Sequence, residues 1–102
     1  MVVLRKIVIH FMQVKLQVSL IREKSRFIVY APALDISTSG RTLAQAKKRF
    51  SELVEIFFDE LHRHGTLREA LTELGWQEVH EQWTPPAVIG QESHTVKIRA
   101  RA

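Results

Sequence analysis

Between Thr42 and Gly65 the sequence allows essentially one local structure, and that structure dictates what must surround it. Thr42 and Gln45 have the spacing of a capping box, in which the hydroxyl accepts from the third helical amide and the Gln side chain reaches back to the cap residue's own N–H. Counting 100° per residue, Leu43, Ala46, Phe50, Leu53, Val54, Phe57, Phe58 and Leu61 then fall within one arc of roughly 140°. Glu52, Glu55, Asp59 and Glu60 lie outside that arc, and Gly65 supplies a left-handed cap at the end. A helix this long with one dry side needs an apolar layer against it, and its three phenylalanines should form the centre of the core.

The segment ahead of the helix reads as that layer. From Gln13 to Leu20 polar and apolar residues alternate, with Val14, Leu16, Val18 and Leu20 on one side, the period of a half-buried strand. After the polar "IREKSR", the run "RFIVYA" turns Phe27, Val29 and Ala31 one way and Ile28 and Tyr30 the other, which reads as the second arm of a hairpin. Pro32 cannot donate to a ladder and ends that strand; "LDIST" makes a short third one, with the turn into the helix at Ser39 and Gly40. Downstream, Thr66 and Glu69 repeat the capping-box spacing before a short helix, "LREALTEL", closed by Gly75. The segment "QEVHEQWTPP" should cross the surface anchored by Trp76 and Trp83, and "HTVKIRARA" alternates Val96, Ile98 and Ala100 with Lys97, Arg99 and Arg101 as a last, basic strand.

The expected fold is therefore α+β: a three-stranded antiparallel sheet packed by one long helix, then a short helix and a C-terminal strand. Residues 1–12 read as an N-terminal extension, 13–76 as the core, and 77–102 as a C-terminal extension. With 102 residues the chain has room for one domain. The opening "MVVLRKIVIHF" is too short to cross a bilayer and is interrupted by two basic residues. The absence of cysteine excludes disulfides, thiol nucleophiles and zinc–thiolate clusters and makes the cytoplasm the expected compartment.

Charge is distributed unevenly. Residues 1–51 carry ten Lys or Arg against two acids, residues 52–91 carry eight acids against two Arg, and the tail from Glu92 is basic again. Such an arrangement suits an electrostatically steered partner or a head-to-tail self-contact. Catalytic chemistry is poorly served. His62 and His64, two apart on a helix, point to different sides, which is not the spacing of a metal pair. Asp35 is a lone acid among the core strands, Ser37, Thr38 and Ser39 have no base beside them, and the four glycines are scattered singly rather than grouped in a phosphate loop. No metal or cofactor is expected, and the chain reads as non-enzymatic. Lys47, Lys48 and Arg49 with Arg99 and Arg101 could instead form a patch for RNA or DNA, without sequence-specific readout.

A strand ending at Tyr30, followed by Ala31-Pro32-Ala33-Leu34-Asp35, then Ser39-Gly40, then Thr42-Leu43 and Ala46, resembles the HicB antitoxin family. "GTLREALTELGW" is similar to the continuation in one branch of that family, and the likeness covers residues 13–76, extending toward Trp83-Thr84-Pro85-Pro86. The resemblance implies a degraded ribonuclease-H-like fold without its catalytic carboxylates. It also implies a function, the silencing of a small HicA-type mRNA-cleaving toxin by occluding its active site. Many relatives carry a DNA-binding module after the core, and this sequence shows none. By their chemistry, Tyr30, Asp35, Glu52, Glu55, Asp59 and the exposed Ile56 are the candidate partner-binding residues, with the acidic stretch 52–81 matching a basic toxin. The chain is also expected to associate with itself.

Overall fold

A computed structural model describes residues 13–100, so the extension expected over residues 1–12 lies outside the described residues. Strands β1 (Ser19–Glu23), β2 (Arg26–Ala31) and β3 (Ile36–Gly40) form an antiparallel sheet in the order β1-β2-β3. Helix α1 (Leu43–Arg63) packs on β3 and β2, helix α2 (Leu67–Glu73) follows, and β4 (Gln77–Val79) pairs with β5 (Gln82–Thr84) in a separate hairpin. This is the α+β arrangement expected from the sequence, with β3 two residues later than the expected "LDIST" and two larger shifts in where the strands lie.

The first shift concerns β1. The reversal into β2 takes only Lys24 and Ser25, with Lys24 at φ 56°, so pairing runs to the hairpin tip and "IRE" enters the ladder. The register places Ser19 opposite Tyr30; one residue beyond Ala31 stands Pro32, which cannot extend the ladder. Residues 13–18 therefore have no strand partner, although Val14 and Leu16 still pack against the core. The second shift is at the C-terminus. Residues 85–100 contain no strand, and the β-structure after α2 is the β4–β5 hairpin instead. Its two turn residues, His80 and Glu81, both adopt positive φ, the geometry of a tight hairpin without its usual Asn or Gly.

The start of α1 is held by an unusually close approach. Gly40 is the buried last residue of β3 rather than a turn residue, and a Cβ there would lie 2.8 Å from the Ala46 backbone nitrogen. Ala46 is the one fully buried residue of α1, and the Thr38 hydroxyl donates to its carbonyl at 2.9 Å. The capping box is present in altered form. Thr42 Oγ1 accepts from Gln45 N at 3.0 Å, but the Gln45 side chain accepts from the Arg41 amide, not that of Thr42. The second box does not form, because Thr66 is already committed to ending α1. Its amide bonds Leu61 O while Gly65, at φ 67°, bonds His62 O, the paired bonds of a Schellman turn. The Thr66 hydroxyl turns back to Leu61 O as well, and α2 starts with no side-chain cap.

The most deeply buried residues are not the phenylalanines themselves. The central cluster comprises Ala31, Ala33, Leu34, Leu71 and Trp76, with Phe50, Val54, Phe57 and Phe58 packed half-buried around it. Length explains this: the 21 residues of α1 extend about 31 Å, whereas five-residue strands extend about 17 Å, so the helix overhangs the sheet. The overhang is closed by the Pro32–Asp35 turn and by α2. Trp76 Nε1 donates to Ala33 O at 2.7 Å inside this cluster, and its ring meets Phe58 edge-on at 6.1 Å. Outside it, Arg68 pairs with Glu78 and stacks over Trp83, tying the hairpin to α2.

Three stability outcomes are expected. Gly40→Ala should cost about 1–3 kcal/mol, because the new methyl group meets helix backbone that can yield only by moving α1. Gly90→Ala, at a position with nothing within 4 Å, should leave urea midpoints unchanged. Trp76→Phe should cost about 1–3 kcal/mol by leaving the buried Ala33 carbonyl without its donor.

Candidate functional site

Gly40 and Ala46 set the rotation of α1 about its axis, so the residues opposite Ala46 point away from the sheet. Glu52, Glu55, Ile56 and Asp59 share that outward face, spaced three and four apart over two turns. All four are exposed, with Ile56 at 58% of its surface. Among the described residues, Glu52, Glu55 and Asp59 make no ion pair, whereas Glu60 is held by Arg63 at 2.7 Å and by His64 at 3.1 Å. A depression of about 420 Å³ bordered by Ile56, Asp59, Glu60, His62 and Arg63 lies along the same part of the helix. The arrangement offers a cationic surface three free carboxylates around one aliphatic contact.

Tyr30 and Asp35 do not belong to this surface. Val29 and Ala31 are buried on the helix side of β2, so Tyr30 between them projects from the opposite face of the sheet. Its hydroxyl donates to Asp35 Oδ1 at 3.1 Å. Asp35 is positioned for this by a φ of 53°, at the end of the Pro32–Asp35 turn. The six candidate residues are thus divided between two outward faces of a two-layer fold, and one rigid partner cannot cover both at once. Chemistry alone groups these residues, and the layer between them separates the two sets.

The basic candidates are also dispersed. Arg49 turns toward β3 and donates to Ser39 O at 2.9 Å, and Arg26 reaches Ser39 Oγ at 3.2 Å from the opposite strand, so these cations brace the sheet. Lys47 and Lys48 remain exposed on α1, Arg99 lies on the strandless C-terminal segment, and Arg101 is outside the described residues. The convergence of Arg26 and Arg49 on Ser39 depends on strand register, which local sequence does not encode. Among the described residues, no group of three His, Asp or Glu is placed to hold a metal ion, and no helix is long and apolar enough to cross a membrane.

The Tyr30–Asp35 pair carries a spectroscopic prediction. The hydrogen bond to Asp35 first, with partial desolvation and the carboxylate's charge behind it, raises the phenol above its ordinary pKa. Tyr30 is the only tyrosine, so ultraviolet titration reads it directly. Its midpoint should lie above that of an unfolded reference and return toward it in Asp35→Gly, which preserves the positive φ. Because the folded pKa is raised, the contribution to stability is complete below the unfolded tyrosine pKa and is lost as pH climbs through the folded one.

Compared with known protein families, with characterised proteins and with solved structures, the chain finds no match in any of the three.

Proposed function

We propose that this protein is a non-enzymatic, antitoxin-like binding protein of the cytoplasm that covers the RNA-binding and catalytic surface of a HicA-type mRNA-cleaving toxin. The observation that carries this reading is the outward face of α1, where Glu52, Glu55 and Asp59 stand without ion pairs around the exposed Ile56. An enzyme that binds RNA must present cations to phosphate. A surface of free carboxylates competes for those cations, and an aliphatic centre excludes water from the contact. The strand–turn–helix pattern from Tyr30 to Ala46 supports the same reading through its resemblance to HicB antitoxins. Inhibition then requires no chemistry from this chain; it is steric and electrostatic. Tyr30 and Asp35, on the other face, are left out of this contact.

Co-expression with a short basic HicA-type protein, sought first in the adjacent reading frame, should yield a complex and relieve that protein's mRNA cleavage. Glu52→Lys with Glu55→Lys should weaken the complex by more than tenfold at low salt and by less at high salt, since exposed charges are screened beyond about 10 Å at 0.1 M. Equal losses at both salt concentrations remove the electrostatic part, and absence of any complex removes the reading. Tight, steeply salt-dependent binding of the chain itself to mixed-sequence RNA would instead favour a nucleic-acid role for Lys47 and Lys48.

A further inference from the structure

Two features lack a partner among the described residues, and their geometry suggests that each completes the other. The first is β1. Among the described residues it is an edge strand with one side of its backbone unpaired, and α1 lies over β2 and β3 instead of over it. Leu20 points to the helix side opposite Val29 yet remains 51% exposed, with Val18 and Ile21 also exposed. An open edge with uncovered aliphatic side chains is a template for another strand. The second is the segment after Pro86. Val88 is clamped to Gln17 by two hydrogen bonds of 2.6 and 3.2 Å, and beyond it the chain has no regular structure through Ala100. That segment has the alternation of a strand, yet Val96 and Ile98 are 71% and 76% exposed.

We infer that the arm Thr95–Ala100 of one copy adds to the free edge of β1 in a second copy, reciprocally, to form a two-fold dimer. Reach excludes a parallel run along its own β1. Gln17 precedes β1 by two residues and holds Val88, so an arm running along its own strand sets the polar Gly90–His94 against Ser19–Glu23. The alternating part then lies past the Lys24–Ser25 turn, because the ten residues from Val88 to Ile98 span about 33 Å against about 17 Å for β1. In a second copy an antiparallel register with Ile98 opposite Leu20 sets Val96 and Ala100 on the helix side, extending the apolar face. Lys97 and Arg99 fall on the other side, with Lys97 diagonal to Glu23, the one acid of the hairpin. Because the exchange is reciprocal between the same two copies, the assembly closes at two.

The test uses the full chain. Sedimentation velocity over a range of concentrations should show a dimer. Val96→Asp with Ile98→Asp should weaken it about a hundredfold, since each buried aliphatic side chain is worth roughly a factor of ten. Both residues are exposed in the single chain, so helical circular dichroism should be unchanged, and this variant stays informative even if a Leu20→Asp chain fails to fold. Because the protein has no cysteine, L20C and I98C chains can be mixed and treated with a short bismaleimide. A covalent L20C–I98C heterodimer is expected, well above the yield from I98C mixed with the surface control E81C. A chain monomeric at every concentration, a dimer indifferent to the two aspartates, or crosslinking confined within a single L20C/I98C double-variant chain would each overturn the proposal. None of these readouts involves a toxin, so they stand or fall separately from the antitoxin reading.

Discussion

The close approach between Gly40 and Ala46 is the constraint from which the remaining architecture follows. With no side chain on the strand residue and only a methyl on the helical one, the first turn of α1 sits almost in contact with β3, and the Thr38 hydroxyl locks it there through the Ala46 carbonyl. A helix fixed at one end in this way has neither rotation nor tilt left to choose. Its phenylalanines face inward, its carboxylates face outward, and its axis passes over β3 and β2 but not over β1. The bare edge strand and the acidic outer face are two results of one contact.

The core must then extend beyond the sheet. Three short strands cannot cover a helix of six turns, and the overhanging half, with Phe57 and Phe58, has to be closed by something else. The chain supplies the Pro32–Asp35 turn from one side and α2 with Trp76 from the other. Two successive Schellman turns, at Gly65 and Gly75, reverse the backbone tightly enough to bring Trp76 under Ala33. The turn that resembles a family fingerprint in sequence therefore has a packing role: Ala33 and Leu34 are buried because they plug the end of the helix layer.

Electrostatics follow the same layout. Arg26 and Arg49 meet at Ser39 near the start of α1, while the unpaired carboxylates lie farther along its outer face, so the uneven charge along the chain becomes an uneven charge along one helix. The macrodipole favours the reverse order, at a cost of some tenths of a kcal/mol per charge. An arrangement held against that local preference is consistent with a surface shaped for an outside partner.

Local pattern was enough to determine the alternation of β2, the cap at Thr42, the inward stripe of α1, the glycine stops and the α+β class, because each depends on residues within a few positions of one another. The outward placement of Glu52, Glu55, Ile56 and Asp59 was legible for the same reason. Register and layer thickness were not. They moved β1 to the hairpin tip, built β4 and β5 around a turn without glycine or asparagine, left 85–100 without a strand, and put Tyr30 and Asp35 on the opposite side from the acidic helix. These properties depend on which distant backbone groups find one another, and that is decided only when the chain packs.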